Sequence, residues 1–111
     1  MITTKDIAWF AGFYEGEAYV VCTKTQSISI EICQVNKEPL IKCMELFGGF
    51  IGFKRGKTHF QVYRWILKGH QAFGLLMTIY SLLSERRKSQ VKKVFDVHKH
   101  KSSYRIRGFN R

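Results

Sequence analysis

The stretch WFAGFYEGEA, residues 9–18, decides the fold of this chain. It lies at the end of a helix predicted over residues 4–15, where Ala8, Ala11 and Gly12 form a stripe of small side chains. Its aromatic residues supply bulk for a core on the other side of the helix. Small side chains let two helix backbones approach closely, and a two-fold axis brings the same patch of two copies together. The stretch therefore predicts a helix at the interface of a homodimer.

Two glutamates end this helix. Glu15 and Glu17 flank Gly16, and two such helix ends crossing an axis would bring two Glu17 carboxylates close together. Paired like charges are costly unless a cation lies between them, and carboxylate oxygens suit Mg²⁺. We place Glu15 in the dimer interface and not among the metal ligands. The simpler alternative is an amphipathic helix that ends in surface glutamates.

Outward from this helix, the sequence predicts one α+β domain. Residues 27–33, SISIEIC, alternate polar and apolar, so the even positions should face a core and the odd positions a polar surface. Gly48 and Gly49 should end a helix that has Pro39 in its first turn. We predict a four-stranded antiparallel sheet with helices on one face and the other face open to a ligand. The predicted order is α-β-β-α-β-β-α-α, with helices over 4–15, 39–47, 70–82 and 85–99, and strands over 19–23, 27–33, 50–54 and 58–67.

Two helix starts carry capping signals. Thr3 with Asp6 resembles a capping box at the first helix, and Ser84 can cap the last one. The domain should span residues 1–100, followed by a basic tail over 101–111.

Positive charge dominates the composition. The chain has 19 Lys and Arg against 8 Asp and Glu, for a net charge of +11. Residues 85–111 hold 10 of these basic residues and 2 acidic ones, which leaves +8 in that segment. The charge favours a nucleic-acid partner, although a solvated helix face with a basic tail would have the same composition.

The cysteines and the apolar runs bear on location. The three cysteines have no metal-ligand spacing, and their odd number favours reduced thiols in a cytoplasmic protein. No apolar run reaches the roughly 18 residues that cross a bilayer, and the first residues have no secretory core. We expect a protein without a membrane partner, in the cytoplasm of a phage or bacterial host cell or in an organelle.

Residues Phe10 to Ala18 resemble the LAGLIDADG motif of homing endonucleases. Aromatic residues replace the aliphatic positions, both acids are glutamate, and Ala18 stands where the motif ends in glycine. The resemblance extends over roughly residues 5–95. It implies an αββαββα(α) fold whose sheet forms a saddle for DNA.

The resemblance also implies an active site. Glu17, with the backbone carbonyl of Gly16, would bind Mg²⁺ or another divalent cation such as Mn²⁺. Gln34 resembles the glutamine that lies in the family's active-site pocket. Arg86 or Arg87 stands where a lysine usually completes that pocket, and because arginine stays protonated its role would be electrostatic.

A single motif implies a homodimer that cuts both strands of a long, roughly palindromic DNA site and leaves 3′ overhangs. The sheets would lie in the major groove, where each base pair shows a distinct pattern of donors and acceptors. The predicted DNA contacts are Tyr19, Thr23, Thr25, Gln26, Ser27, Ser29, Glu31, Lys54, Arg55, Lys57, His59, Gln61, Tyr63 and Lys88.

Two other functions fit parts of the sequence. One is a DNA-binding regulator or RNA maturase of the same fold that does not cut, for which Ala18 and the missing lysine leave room. The other is a basic protein that coats nucleic acid without sequence preference. Glu17 favours cutting, and the alternating strand together with the small-residue stripe speaks against a simple coat protein.

Overall fold

The helices and strands follow the predicted order. The computed structural model describes residues 1–22, 27–55 and 61–109, with side chains other than those of residues 54–55 and 98–109. The elements are α1 (Thr4–Glu17), β1 (Ala18–Cys22), β2 (Ile28–Gln34), α2 (Glu38–Phe47), β3 (Phe50–Arg55), β4 (Gln61–Lys68), α3 (Gly69–Ile79), a 3₁₀ turn (Tyr80–Leu82) and α4 (Glu85–Phe109).

The four strands form one antiparallel sheet in the order β1-β2-β4-β3. In the two central strands, Ile30 lies opposite Leu67 and Ile32 opposite Trp65. All four side chains are buried in the core under the helices. Because side chains alternate along a strand, the residues between them lie on the other face. The predicted four-stranded sheet with helices on one face is confirmed.

Helix α1 begins and packs as its sequence predicts, but it is longer. Thr3 and Asp6 form a reciprocal capping box, in which the Asp6 amide donates to the Thr3 hydroxyl over 3.1 Å. Phe10 and Tyr14 are completely buried. The helix continues to Glu17, two residues beyond its predicted end, so the last acid of the motif lies at the junction with β1.

The end of α2 depends on two glycines. Gly48 and Gly49 have φ angles of 84° and 83°, in the region that favours glycine. The Gly48 carbonyl accepts a hydrogen bond of 2.9 Å from the Trp65 indole. A Cβ atom at Gly49 would collide with the Ile66 carbonyl. The predicted end of this helix is confirmed, and the bond ties it to the central strand β4.

The last two helices differ from their predicted bounds. The helix predicted over 70–82 is α3, which ends at Ile79 and continues as a 3₁₀ turn. Helix α4 continues past its predicted end at residue 99 to Phe109, through a stretch without proline and without glycine before Gly108. The backbone of most of the predicted tail is therefore helical, and the boundary at residue 100 stays a prediction. Among the described helices, none is both long and apolar enough to span a membrane.

Candidate functional site

The exposed carboxylate of Glu17 meets Gln34 at one end of the sheet. Glu17 immediately precedes β1, and Gln34 ends the neighbouring strand β2, whose Ile32 lies opposite Ala18. The Gln34 amide nitrogen donates a hydrogen bond of 2.9 Å to Oε2 of Glu17. The bond orients the carboxylate and leaves the amide oxygen of Gln34 for another partner. The fold thus joins two residues that were predicted to share a site.

Glu15, two residues earlier, is engaged within the chain. Its carboxylate accepts 2.7 Å and 2.8 Å hydrogen bonds from the amide and the hydroxyl of Ser84. These two bonds, followed by the charges of Arg87 and Arg86, lower the pKa of Glu15. Ser84 also accepts a bond from the Arg87 amide, so it caps α4 as predicted. Glu15 therefore fastens the end of α1 to the start of α4, and its predicted place in a dimer interface stays a prediction.

The two candidate arginines are in different environments. Arg86 is exposed, whereas Arg87 is 8% exposed. Arg87 donates to the carbonyls of Glu15 and Ala18 over 2.9 Å and 2.7 Å and to the side chain of Gln90 over 3.1 Å. These carbonyls lie on either side of Gly16 and Glu17. Of the two arginines, Arg87 is the one that contacts the motif, and it does so by holding its backbone.

Tyr14 lies beneath the guanidinium of Arg87. The charge is 5.7 Å from the centre of the ring. Burial raises the pKa of Tyr14 to about 12, although the Arg87 charge acts in the opposite direction. Tyr14 therefore stays neutral at physiological pH and acts as a packing surface for the arginine.

The stripe of small residues on α1 differs from the predicted one. Ala11 is only 4% exposed, because it lies on the same side of the helix as Ile7 and Tyr14. Its assignment to the dimer interface is wrong. The exposed stripe consists of Ala8, Gly12 and Gly16, spaced four residues apart, and a Cβ atom at either glycine would meet nothing within 4 Å.

Two aromatic residues border the exposed stripe. Trp9 and Phe13 stack with ring centroids 5.3 Å apart, and both are only partly buried. The ammonium group of Lys42 lies 4.2 Å from the Trp9 ring. Trp9 and Phe13 were predicted to fill the core on the far side of the helix, but they pack at the margin of the core. The stripe with its aromatic border is a surface of low polarity that a second helix can approach closely.

The predicted DNA contacts divide between the two faces of the sheet. Tyr19 and Glu31 lie opposite each other on the open face. Ser29 has the same parity but is 4% exposed, so it is not accessible there. Ser27 immediately precedes β2. Lys54 lies opposite Val62, which places its backbone position on the open face. The predicted contacts Thr23, Thr25, Gln26, Lys57 and His59 lie outside the described residues.

Three predicted DNA contacts on the second hairpin occupy alternate strand positions that belong to the core face of the sheet. Trp65 and Leu67 lie in the core, and residues 61 and 63 share their face. Tyr63 packs against Phe53 with ring centroids 5.0 Å apart. Arg55 lies opposite Gln61 and shares its parity. Arg55, Gln61 and Tyr63 therefore occupy strand positions with the parity of the core face, and their assignment as DNA contacts stays a prediction.

The open face of β4 carries a residue that the sequence analysis missed. Arg64, between Tyr63 and Trp65, lies on this face beside Glu31. The aromatic residues on both sides of it were a usable signal in the sequence, because side chains alternate along a strand and the position between two core-facing aromatics belongs to the opposite face. The remaining predicted contact, Lys88, lies in the first turn of α4, with its ammonium group 3.7 Å from Glu85.

The described residues near the end of α1 include oxygen donors but no complete cluster of metal ligands. Within the part of the chain that the structure describes, no three His, Cys, Asp or Glu residues form a cluster that could hold a metal ion. The Glu17 carboxylate, the Gln34 amide oxygen and the Gly16 carbonyl are all hard oxygen donors, which suit Mg²⁺. Since Glu15 is engaged elsewhere, Glu17 is the one acid of the motif that is available as a ligand.

Comparisons with known proteins identify the fold. No protein-family model matches the chain, and no curated protein matches it in sequence. Two crystal structures of the homing endonuclease I-CvuI match, with TM-scores of 0.60 and 0.61 and 17% identity. One is a complex with its target in the presence of Ca, and the other a complex with the I-CreI target in the presence of Mg, in which the DNA is not cleaved.

Each match covers 86% of this chain, and the chain spans 66% of the length of the I-CvuI chain. The chain therefore has the fold of a LAGLIDADG homing endonuclease.

Proposed function

We propose that this chain is a site-specific DNA endonuclease of the LAGLIDADG type that works as a homodimer. One observation carries the proposal: Glu17, oriented by Gln34, lies at the end of a helix whose exposed face is a stripe of small residues. A catalytic acid at the end of an interface helix is close to its symmetry mate. The arrangement favours one composite site over two separate ones.

The dimer would form along α1. Ala8, Gly12 and Gly16 leave room for the backbone of a second helix, and the stacked rings of Trp9 and Phe13 would cover the margin of the contact. An isologous interface of this kind is self-complementary, because each residue near the axis meets its own copy. It would bring the two Glu17 carboxylates together above the DNA.

Divalent cations would be held by Glu17 and the Gly16 carbonyl of each subunit, with the Gln34 amide oxygen nearby. When bound, Mg²⁺ or Mn²⁺ supplies an activated water and stabilises charge on the phosphate. The chain's own residues set the geometry. Gln34 holds one carboxylate oxygen of Glu17, and Arg87 fixes the backbone on both sides of it.

The open face of the sheet would lie in the major groove of double-stranded DNA. The net charge of +11 favours binding to the phosphates, and the exposed Arg86 and partly exposed Lys88 flank Arg87 at the start of α4. Two subunits related by an axis would read a long, roughly palindromic site, one half each. Cutting would leave 3′ overhangs. We place this activity in the cytoplasm of a host cell or in an organelle, where the three free thiols would stay reduced.

A second candidate is a regulator or RNA maturase of this fold that binds without cutting. Arg87 favours it, because this arginine, one of the two that could stand in place of the family's lysine, already donates to two carbonyls and a glutamine. It cannot transfer a proton at neutral pH. The first proposal is preferred because Glu17 is retained and exposed.

The decisive experiment is a cleavage selection on a randomised library of double-stranded DNA with Mg²⁺. We expect cut products that share a sequence with two-fold symmetry, and no products when the metal is chelated. Sequences that are enriched by binding but never cut would favour the regulator. Cutting or binding without a shared sequence would contradict both proposals. It would favour a basic protein that coats nucleic acid without sequence preference.

A further inference from the structure

A charged cluster lies on the open face of the sheet, apart from Glu17 and Gln34. Nη1 of Arg64 on β4 lies 3.4 Å from Oε1 of Glu31 on β2. The Tyr19 hydroxyl, on β1 directly opposite Glu31, donates a hydrogen bond to the same carboxylate. The desolvation of Tyr19, followed by its interaction with the Glu31 carboxylate, raises the pKa of this hydroxyl to about 12, so it remains a donor. Three neighbouring strands thus contribute to one polar network.

The network fixes the Arg64 side chain from the side of the sheet, beneath its exposed end. The Glu31 side chain is 15% exposed and that of Arg64 is 35% exposed, so the carboxylate lies deeper than the guanidinium. The Nε atom of Arg64 is buried and has no hydrogen-bond partner among the described residues. The donors left for a ligand are therefore those of the terminal nitrogens, of which Nη1 also faces Glu31. A guanidinium that is already fixed loses little freedom when it binds a planar acceptor.

The position of Arg64 favours a base edge over a phosphate. β2 and β4 are the two central strands of the sheet. A sheet lying in the major groove points its central strands at the base pairs, and its margins are closer to the phosphates. Arg64 lies opposite Cys33, the residue before Gln34, so it is on the part of the face nearest Glu17 and Gln34.

We propose that Arg64 reads a guanine in the inner part of each half-site, and that Glu31 and Tyr19 orient its guanidinium. The inference rests on the proposed DNA-binding function. Two arginine donors match the N7 and O6 acceptors that guanine presents in the major groove. Glu31, expected from the sequence to contact a base itself, becomes a positioning residue. The open face then has a specificity residue that is held in place before DNA arrives.

The test is a binding selection on a randomised duplex library with Arg64→Gln and its parent. The parent should select guanine at one pair of symmetry-related positions. Arg64→Gln should reduce that preference about tenfold to a hundredfold and leave the other positions unchanged. Lys68→Gln is the matched control, since Lys68 is exposed on the same face but is the last residue of β4, opposite Ser29 and away from Glu17 and Gln34, and it has no carboxylate partner among the described residues. It should weaken binding to all sequences equally and reduce the salt dependence.

Two conservative variants separate reading from charge and guard against a folding defect. Arg64→Lys keeps the charge but loses the planar pair of donors, so it should keep the salt dependence and lose guanine discrimination. Glu31→Gln should keep guanine as the selected base with weaker discrimination. Thermal melting of each variant checks that the chain is folded.

The outcomes separate this inference from the proposed function. If Arg64→Gln behaves like Lys68→Gln, the residue contacts a phosphate and the inference is overturned. A change of the selected base in Glu31→Gln would mean that Glu31 itself reads a base, which also contradicts it. If the parent selects a symmetric sequence that no Arg64 variant alters, only the inference fails. If the parent has no sequence preference, the proposed function fails as well.

Discussion

The two sides of α1 are built from different residues and serve different ends. On the inner side, Phe10 and Tyr14 are fully buried, and Phe10 packs edge-on against Trp65 with ring centroids 5.8 Å apart. On the outer side, Ala8, Gly12 and Gly16 are exposed, and there is open space beside both glycines. The large residues bury apolar area and stabilise the fold, whereas the small ones contribute little to the single chain. Folding therefore depends on the inner residues of α1, and the dimerisation that we propose would depend on the outer ones.

The two glutamates at the end of α1 show the same division. Glu15 is bound to Ser84 of its own chain, and Glu17 is exposed and held by a single amide of Gln34. The first acid stabilises the corner between α1 and α4, and the second is available to a metal or to a second subunit. Substitutions of residues that pack within the chain should therefore change its stability, and substitutions of the exposed residues should change cleavage or dimer formation.

The largest effect is expected for Glu17→Gln. It removes the carboxylate that we assign to the metal, and metal stabilisation of the reacting phosphate amounts to several kcal/mol. Cleavage should fall at least about a thousandfold, which corresponds to about 4 kcal/mol. DNA binding, measured by gel shift, should persist. Glu45→Gln, an exposed change on α2, is the control for the lost charge. Normal cutting by Glu17→Gln with Mg²⁺ would refute the metal assignment.

The inner side of α1 is tested by Phe10→Ala. Removing a fully buried aromatic ring leaves a cavity against Phe47 and Trp65, and such changes cost about 3–5 kcal/mol of stability. Urea denaturation measures the loss. Ala8→Ser, on the outer side, should change the stability of the single chain by less than about 0.5 kcal/mol. Equal losses in the two variants would abolish the distinction between the two sides.

Arg87→Gln tests the joint between α1 and α4. The carbonyls of Glu15 and Ala18 lose buried charged donors, which should cost about 2–3 kcal/mol in the same denaturation assay. Cleavage should also fall, and more Mg²⁺ should be needed for half-maximal cutting, because the backbone around Glu17 is no longer fixed. Arg87→Lys is the control, since it keeps the charge but not the fork of donors. Full rescue by lysine would show that charge alone is required.

Much of the fold was predictable because local chemistry determines it. The capping box at Thr3 and Asp6 and the alternation over residues 27–33 are visible in the sequence, and so is the pair of glycines after α2. The 3₁₀ turn after α3 and the continuation of α4 beyond residue 99 carried no such signal. Helix ends without glycine or proline depend on packing that a sequence does not display.

The site was less predictable than the fold. The pairing of Glu17 with Gln34 followed from the family resemblance, since residues far apart in sequence meet only through the sheet register. The bonds from Arg87 end on backbone carbonyls, which every residue possesses, so no side chain signals them. The network of Arg64 and Glu31 depends on the pairing of β2 with β4, which the sequence alone did not determine.

The outer side of α1 is tested by Gly12→Leu. The new side chain meets open space in the single chain but would collide with a second helix, and overpacking of this kind costs about 1–3 kcal/mol. The dimer should dissociate at higher concentration than the parent in light scattering, while the melting curve of the single chain stays close to that of the parent. Phe10→Ala is the converse case, with lower stability and an unchanged interface. An unchanged dimer mass for Gly12→Leu would place the interface elsewhere.

The smallest effect is expected for Glu15→Gln, and it should depend on pH. The Ser84 bonds hold the pKa of Glu15 below its ordinary value of 4.5. A carboxyl group with a lowered pKa in the folded state stabilises the fold above its unfolded pKa, and the contribution is lost as the pH falls through the folded pKa. The parent should therefore be more stable than the variant near pH 7, and the difference should shrink below about pH 4.5. Because the carboxylate is 35% exposed, solvent screening keeps the effect small. Urea denaturation at both pH values measures the difference in stability, with Glu45→Gln as the control. A difference that stays constant with pH would show that the Glu15 carboxylate does not stabilise the contact between α1 and α4.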